Sequence, residues 1–386
     1  MSDTVELRSD VNAEVRDVIE RAIENGTEIG VQCTAYLHDK MIVNVSAGLA
    51  DETSGRKVTD DTLFHVYSVT KAVLATTLHI QAERGLIDYG ARVADYWPEY
   101  AANGKAATTV REVLTHRSGL CQMPEDSTPE LICDWDSMIE RLQAMPPLAP
   151  PGTKGLYQSM THGWLIGELV RRTDPKGRTP GAFIREEIAE PLGIKDLWVG
   201  LPDSEAHRVA KLTNAQPEMP NPPEMLIASM PLPVALEPRV FEQPAVMRAE
   251  VAGVGGIFNA LSTARFFAML ANGGELDGVR LLSADRVASF ANPRRNSDEP
   301  DVVIFGMPLP LGEAGFWLGT EQGMTGPARY PRAICHPGAG NSQGFADLKT
   351  GLSFAWCHNR MYAPMSREED ASAQAADVIR AGLGLD

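Results

Sequence analysis

The spacing of apolar residues predicts a helix at each end of the chain. Apolar side chains recur three or four residues apart over 11–23, after Asp10, a residue type that favours helix N-caps, and before the stop signal Asn25-Gly26. The stretch from Ser366 to Leu383 has a similar amphipathic pattern. We therefore expect a helix near each terminus.

Short runs rich in β-branched residues predict strands near both ends. Ile29 to Leu37 and Met41 to Ala47 flank the turn His38-Asp39-Lys40, as in an antiparallel hairpin. Three later runs have the same texture: Arg332 to Cys335, Gly344 to Leu348 and Leu352 to Cys357. Both ends of the chain would then contribute to one mostly antiparallel sheet covered by the terminal helices.

The middle of the chain has helical periodicity. Val73, Leu74 and Leu78 share one face before Gly85, and a second helical face includes Trp164. The simplest fold class is α/β (α+β), with a central, mostly antiparallel sheet flanked by helices and a helical subdomain. We assign residues 1–70 and 190–386 to a discontinuous α/β domain and residues 71–189 to the helical subdomain.

Residues Pro217 to Pro244 form a segment that contains eight prolines. Proline is poorly tolerated inside helices and central strands, so the pattern predicts a long ordered loop without regular structure. Its methionines and other apolar residues suit a wall for an apolar substrate. An ordinary packed connection fits the sequence equally well.

Composition narrows the possible partners. Of the 386 residues, 44% are hydrophobic, which indicates a sizeable core, and 35 basic against 51 acidic residues give a net charge of −16. That charge opposes binding to nucleic acids and anionic membranes, so a small molecule is the expected partner. The first eight residues lack the apolar core of a signal peptide, which predicts a cytoplasmic location. The sequence leaves monomer and homo-oligomer open.

Metal and cofactor signatures are missing from the sequence. The five cysteines are an odd number without a C-x-x-C pair, which favours reduced, mostly buried thiols. The histidines show no metal-ligand spacing, and the glycines at 253–256 are not followed by a phosphate-loop lysine. We expect no metal and no organic cofactor. His116 and Ser118 are expected to hold a loop of the helical region.

A serine and a lysine three residues apart carry the candidate chemistry. The run from Phe64 to Lys71 leads from an apolar stretch into the helix that ends at Gly85, which places Ser68 at the helix N-terminus and Lys71 on the same face. Serine is a weak nucleophile unless a base or a cation activates it, and a partly desolvated lysine serves in either role. Taken alone, S-x-x-K also fits a helix cap followed by a solvated lysine.

Further motifs follow in order along nearly the whole chain. They are Thr109 to Leu120, Pro151 to Ser159, Pro191 to Ile194, Gly255 to Arg265, Asn272 to Gly278, His336 to Gly340, Gly344 to Asp347 and Asn359 to Met361. In this order the motifs are far more specific than any one of them alone. The chain resembles the serine hydrolases of the class C β-lactamase fold, specifically the family VIII carboxylesterases, alongside penicillin-binding proteins and D-aminopeptidases.

The resemblance implies a catalytic set. Ser68 would be the acylated nucleophile, Lys71 its hydrogen-bonded activator, and Tyr157 the tyrosine of the second motif. A phenol is a poor base until nearby cations stabilise its anion, so Lys71 beside Tyr157 is a coherent pair. Whether Lys71 or Tyr157 removes the serine proton stays open.

Two departures from the lactamase pattern bear on the substrate. Ser159 stands where Y-x-N has asparagine, and its hydroxyl cannot offer both an amide donor and an amide acceptor. His336 stands where K-T-G has lysine, so a mostly neutral group replaces a cation. We expect weaker carboxylate recognition and a better fit for plain esters. Gly338 would let the acyl group approach the backbone, and the N–H groups of Ser68 and Ala339 would form the oxyanion hole.

Two other motifs compete for the same roles. Ser342 lies in a G-x-S-x-G match, but the nucleophile elbow requires a following helix, and a strand is predicted there. Lys349-Thr350-Gly351 spells K-T-G, yet it lies between two predicted strands as a hairpin turn does. We therefore assign Ser342 to a turn between strands and Lys349 to the solvated surface.

The resulting hypothesis is a serine carboxylesterase that hydrolyses esters through a Ser-Lys-Tyr acyl-enzyme mechanism. A hydrolase of β-lactams or D-amino-acid amides, or an acyltransferase, on the same fold is the alternative. A catalytically silent binding module is the third possibility, against which the intact set of Ser68, Lys71 and Tyr157 counts.

Overall fold

The structure is a computed structural model that describes residues 10–216, 219–319 and 333–385. The first eight residues, Pro217 and Arg332, on which parts of the sequence-based predictions rely, lie outside the described residues.

From 70 to 189 the described chain contains only helices and their connections, whereas strands and helices are interspersed before and after this stretch. The α helices are α1 Val11–Glu24, α2 Thr70–Glu83, α3 Val93–Tyr96, α4 Val110–Leu114, α5 Pro129–Cys133, α6 Trp135–Ala144, α7 Thr161–Thr173, α8 Pro180–Ile184, α9 Glu224–Ser229, α10 Pro238–Phe241, α11 Pro244–Arg248, α12 Ala260–Ala271, α13 Ala284–Ser289 and α14 Ala371–Leu383. The strands are β1 Gly30–Leu37, β2 Lys40–Asp51, β3 Arg56–Lys57, β4 Phe64–Tyr67, β5 Leu197–Val199, β6 Thr213–Asn214, β7 Gly256–Phe258, β8 Glu275–Leu276, β9 Val279–Arg280, β10 Pro300–Asp301, β11 Met307–Pro308, β12 Trp317–Leu318, β13 Ala333–Pro337, β14 Gln343–Asp347, β15 Leu352–His358 and β16 Arg360–Met361. Short 3₁₀ helices lie at Pro98–Gly104, Asp203–Arg208, Leu232–Val234 and Arg367–Glu369, and a π-helical turn lies at Arg185–Ala189.

The central sheet joins the two ends of the chain. In the described residues its strand order is β12-β13-β14-β15-β1-β2-β3, and neighbouring strands are antiparallel. Cys33 of β1 lies opposite Trp356 of β15, so the N-terminal hairpin continues the sheet made by the C-terminal strands. The predicted hairpin and the predicted antiparallel sheet are confirmed.

The terminal helices cover one face of this sheet. Side chains alternate between the two faces of a strand, so β15 directs Phe354 and Trp356 into the core beneath α1 and α14. The other face carries α12, where the Ser353 hydroxyl donates to the Ala264 carbonyl over 2.9 Å. The last helix begins later than predicted, at Ala371, because the Asp370 side chain accepts the Ala373 N–H and caps it there.

The proline-rich segment contains helices that the sequence did not predict. In the described part of 217–244, α9, a 3₁₀ turn at Leu232–Val234 and α10 follow one another. The expectation of a loop without regular helix is therefore wrong at these positions. Pro223 precedes the first residue of α9 and Pro238 opens α10, positions where the missing proline N–H costs no helical hydrogen bond.

The helical layer lies between the central sheet and solvent. Its middle helix, α2, is buried from Thr70 to Gln81, so the single apolar face predicted from the sequence is too narrow. Helix α7 packs against α2 and is buried from Thr161 to Val170. The division into a discontinuous α/β domain and a helical subdomain stays a prediction. No helix in the described part of the chain is long and apolar enough to cross a membrane.

Candidate active site

Ser68 lies in a tight turn between β4 and α2. The preceding residue, Tyr67, has a φ of 45°, a left-handed conformation that is uncommon for a residue with a Cβ atom. Thr70 holds this turn, because its hydroxyl donates to the Tyr67 carbonyl and accepts the Gly256 N–H of β7 over 2.9 Å. Ser68 lies two residues before Thr70, the first residue of α2, and so at the N-terminal end of this helix as the sequence predicts.

The Lys71 side chain is wholly buried beside Ser68. Its Nζ lies 3.0 Å from Ser68 Oγ and donates to the carbonyl oxygens of Ser159, over 2.7 Å, and Gly253, over 2.9 Å. Burial disfavours the charged ammonium and lowers the Lys71 pKa to about 7. A substantial fraction of the amine is therefore neutral at neutral pH.

The Gly253 carbonyl reaches Lys71 because two glycines meet nearby. A Cβ atom on Gly163 of α7 would lie 2.1 Å from the Gly253 nitrogen, so only glycine permits this close approach of helix and loop. The sequence assigns no role at the site to Gly253. Its contact with Lys71 depends on long-range packing, which no local motif reports.

Tyr157 completes the group around the serine. Its hydroxyl lies 3.3 Å from Ser68 Oγ, and its side chain is buried. Burial raises the Tyr157 pKa, the largest effect, against a smaller lowering by the hydrogen bond to Ser68. Lys71 Nζ lies over the ring face, 5.3 Å from its centre. The phenol is consequently held in its neutral form.

Ser159 is engaged by a helix of the proline-rich segment. Its Oγ lies 2.9 Å from the Oγ of Ser229, which in turn donates to the Leu226 carbonyl over 3.0 Å. Because the Ser229 hydroxyl proton is donated to Leu226, the Ser159 hydroxyl donates its own proton to Ser229 Oγ. The lone pairs of Ser159 Oγ can still accept a hydrogen bond. The segment thus reaches the candidate site through α9.

His336 lies near the end of β13 and is wholly buried. Its Nδ1 lies 2.9 Å from the Pro337 carbonyl, which places the proton on Nδ1. Burial and the nearby Lys71 lower the His336 pKa well below its usual range. The imidazole is therefore neutral, as the sequence predicts for this position.

The turn after β13 approaches the strand before Ser68. The Gly338 N–H donates to the Ser342 carbonyl over 2.7 Å, and a Cβ atom on Gly338 would lie 2.3 Å from the Val66 carbonyl oxygen. Close backbone approach to β4 is therefore one reason for glycine here. Among the described residues, the N–H groups of Ser68 and Ala339 have no intramolecular acceptor, so both are available to a ligand.

Comparison with known proteins identifies the family. The family profile described as Beta-lactamase matches residues 15–378. The chain belongs to the Beta-lactamase family. Esterase/beta-lactamase LipL from Mycobacterium tuberculosis is 34% identical over 355 residues, which cover 89% of this chain and 80% of that protein.

Two solved structures show the same fold across nearly the whole chain. A family VIII carboxylesterase has 33% identity and a TM-score of 0.86, and the match covers 96% of this chain and 98% of the carboxylesterase. A penicillin-binding protein homologue from Caulobacter crescentus has 33% identity and a TM-score of 0.85, with 98% of this chain and 99% of the homologue covered. The predicted resemblance, β-lactamase-like fold and serine hydrolase class are confirmed.

The competing motifs of this Beta-lactamase family member lie where the sequence predicts. Ser342 is a buried turn residue followed by strand β14 and not by a helix. Lys349 is exposed in the turn between β14 and β15. No group of three or more His, Cys, Asp or Glu side chains in the described ranges is arranged to hold a metal ion.

Apolar side chains surround Tyr157. Leu156, Val303, Leu309 and Leu311 form a buried cluster with it, and Met225, Ile304 and Trp317 pack against them. Three segments contribute residues to this cluster: 148–149, 219–232 and 302–307. Seven of the nine exposed large apolar side chains among the described residues also lie on these segments. They are Leu148, Met219, Ile227, Leu232, Val302, Phe305 and Met307. Exposed apolar side chains are thus concentrated on segments that also contribute to the cluster around Tyr157.

Proposed function

We propose that this chain is a carboxylic ester hydrolase in which Ser68 is acylated and Lys71 and Tyr157 move its protons. The proposal rests above all on the meeting of Lys71 Nζ and the Tyr157 hydroxyl at Ser68 Oγ, at 3.0 Å and 3.3 Å. A serine with two such neighbours at a helix N-terminus is an activated nucleophile.

Lys71 is the better base for the first step. A neutral amine has two N–H groups, which the carbonyls of Ser159 and Gly253 occupy, and its remaining lone pair faces Ser68 Oγ. The lowered pKa of Lys71 supplies this neutral form, whereas the raised pKa of Tyr157 opposes a phenolate. In our proposal Lys71 takes the proton while Ser68 Oγ attacks the ester carbonyl carbon.

The following steps use the other groups of the site. The oxyanion of the tetrahedral intermediate accepts hydrogen bonds from the Ser68 and Ala339 N–H groups, as in an oxyanion hole. As the ester C–O bond breaks, Tyr157 donates its proton to the departing alkoxide and recovers one from protonated Lys71. Water then attacks the acyl group while the Lys71 amine accepts a water proton, and that proton passes to Ser68 Oγ as the acyl C–O bond breaks, which restores the free hydroxyl and the neutral amine.

The substrate side of the site favours neutral esters. The neutral His336 supplies no fixed positive charge for a carboxylate, and the Ser159 hydroxyl proton is already committed to Ser229. The apolar cluster around Tyr157 suits an apolar acyl or alcohol group. The names of the similar proteins, which include a carboxylesterase and an esterase/beta-lactamase, are compatible with this assignment.

The test compares substrates on one preparation. We expect a neutral short-chain p-nitrophenyl ester to be turned over with a kcat/KM well above those for nitrocefin and a D-amino-acid amide, with Ser68→Ala inactive. Ser342→Ala and Lys349→Ala are the matched controls and keep the wild-type rate, since neither side chain contacts Ser68. Faster nitrocefin hydrolysis would make the chain a β-lactamase, and turnover by Ser68→Ala would remove the proposed nucleophile.

A further inference from the structure

His116 holds the backbone on both sides of Tyr157. The His116 carbonyl accepts the Leu156 N–H over 2.9 Å, and its Nδ1 accepts the Gln158 N–H over 3.1 Å. These two bonds connect the segment after α4 to the residues immediately before and after the tyrosine. The position of the Tyr157 Cα is therefore coupled to one histidine.

The imidazole also packs against the phenol itself. The ring centres of His116 and Tyr157 lie 4.6 Å apart, and His162 stacks on His116 at the same separation. His116 is wholly buried, so its ring has little freedom to turn. An Nδ1 that accepts a backbone N–H carries no proton, and burial keeps the His116 pKa well below its usual range, so the ring is neutral.

The backbone at His116 is suited to this contact and to few side chains. Its φ is 58°, in the left-handed region that glycine adopts freely and that asparagine, aspartate and histidine adopt more often than other residues. Most other side chains at this position would strain the backbone.

Tyr157 needs such support. Among the described residues, the single polar contact of its hydroxyl is the one to Ser68, at 3.3 Å, which is long for a hydrogen bond between hydroxyls. The direction of the phenol is therefore set by packing and by the backbone, not by a network of polar partners. A shift of about 1 Å in a proton-transferring group costs up to about 100-fold in rate.

We infer that His116 is a positioning residue for the reaction: its two backbone hydrogen bonds and its ring hold Tyr157 at the distance from Ser68 that proton transfer requires. His116 has no contact with Ser68 and acts through Tyr157. The inference rests on the proposed function, because it assigns His116 a role in the same reaction.

The test is a double-mutant cycle with Tyr157→Phe, measured as kcat for an alkyl ester, whose alkoxide leaving group needs the proton that Tyr157 donates. Fluorophosphonate labelling of Ser68 counts the active sites. His116→Gly removes the ring and the Nδ1 acceptor while the left-handed backbone stays relaxed. We expect it to lower kcat by about 10- to 100-fold in the wild-type background, and by less than about 2-fold on Tyr157→Phe. KM should change little, because substrate binding is left intact.

Two further variants separate positioning from folding. His116→Asn keeps a short acceptor and tolerates a positive φ, so it should restore most of kcat for the alkyl ester. His38→Gly is the matched control, since His38 is an exposed histidine with a φ of 55° in the β1–β2 turn, and it should react as wild type. Rates are expressed per active site, with labelled protein counted by intact mass.

Each remaining outcome decides against a different claim. If His116→Gly lowered the rate by the same factor in the wild-type and Tyr157→Phe backgrounds, His116 would not act through Tyr157. That result would overturn the inference and leave the proposed function in place. If His116→Gly lowered only the fraction of protein that labels at Ser68, and each labelled molecule kept the normal rate, His116 would have a role in folding and not in positioning. Wild-type protein that neither labels at Ser68 nor hydrolyses the ester would overturn both.

Discussion

At the scale of single residues, burial decides the charge of Lys71, the proposed base. Lys71 has no carboxylate partner among the described contacts and donates to two backbone carbonyls, which stabilise the ammonium less than an ion would. The largest effect on its pKa is therefore desolvation, which lowers it to about 7. A residue that is always charged on the surface becomes a base at physiological pH.

This lowered pKa predicts the pH dependence of the free enzyme. Activity requires neutral Lys71, and a lowered pKa means that the proton is lost as pH rises through about 7. We expect kcat/KM for a neutral ester to fall by about tenfold per pH unit well below that value and to level off above it. The measurement is a kcat/KM profile from pH 5 to 9. A profile that still rises about tenfold per pH unit up to pH 9, as it would for the ordinary lysine pKa of about 10.4, would contradict the assignment of Lys71 as the base.

Replacement of the two candidate lysines gives a second prediction. Lys71→Met removes the base and leaves the chain packed, so kcat/KM for an ester should fall by about 10² to 10⁴-fold. Lys349→Met changes an exposed turn residue and should leave kcat/KM within about 2-fold. The measurement is the initial rate of p-nitrophenyl ester hydrolysis by the folded Lys71→Met and Lys349→Met proteins. Similar losses in both variants would mean that Lys349 belongs to the site.

Some residues of the site are readable from the sequence and others are not. Ser68, Lys71 and Tyr157 stand in motifs of fixed spacing, and the order of those motifs along the chain makes them recognisable. The role of the Gly253 carbonyl and the ring contact of Trp317 with Tyr157 and His336 depend on segments far apart in sequence. His116 lies inside a recognised motif, but its left-handed φ and its contact with Tyr157 need the folded backbone.

At the scale of elements, the start of α2 is fixed from outside the helix. Val69 provides no capping side chain, and the turn is instead tied to β7 by the Thr70 hydroxyl, which accepts the buried Gly256 N–H. Ser68, the proposed nucleophile, is thus placed by a bond between a helix and a strand 186 residues away in sequence. Element boundaries of this kind depend on tertiary structure, as α9 and α10 in the proline-rich segment also show.

Thr70→Val tests this support. The change keeps the shape of the side chain but leaves the Gly256 N–H without an acceptor, so we expect a loss of about 1 to 3 kcal/mol in the free energy of unfolding. Ester turnover should fall as well, because the turn that carries Ser68 loosens. Thr76→Val is the matched control: its hydroxyl donates only to the Ala72 carbonyl of the same helix, so the effect should be smaller. The measurement is urea unfolding of wild type, Thr70→Val and Thr76→Val. Equal decreases in the free energy of unfolding for the two variants would count against a special role for Thr70.

The strands were predicted more accurately than the proline-rich segment for a physical reason. Alternation and β-branched residues around His38-Asp39 and Lys349-Thr350 mark two hairpins whose signals are local. In the 219–244 region, proline opens short helices instead of preventing them, and a count of prolines cannot distinguish these cases.

At the scale of the whole molecule, charge and apolar surroundings act in the same direction. The chain carries a net charge of −16, and the group on β13 that faces Lys71 and Trp317 is a neutral imidazole. We therefore expect an anionic substrate to be repelled at long range and to gain no fixed cation from His336 at short range. On this proposal the molecule favours neutral substrates.

This selection predicts a salt effect. We expect a p-nitrophenyl ester with a free carboxylate on its acyl chain to have a lower kcat/KM than its neutral methyl-terminated counterpart of equal length. The ratio of kcat/KM for the neutral ester to kcat/KM for the carboxylate ester should fall as salt rises from about 0.01 M to 0.5 M, because the Debye length falls from about 30 Å to a few ångströms. A carboxylate-bearing ester that is preferred at low salt would indicate a cationic subsite and would contradict the reading of His336.

The most direct test of the central claim is to find which serine becomes acylated. Wild type, Ser68→Ala and Ser342→Ala are exposed briefly to a fluorophosphonate or a p-nitrophenyl ester, weighed as intact proteins and mapped by peptide. We expect one adduct on Ser68 in wild type and in Ser342→Ala, and none in Ser68→Ala. An adduct on Ser342, or an adduct that persists in Ser68→Ala, would contradict the claim.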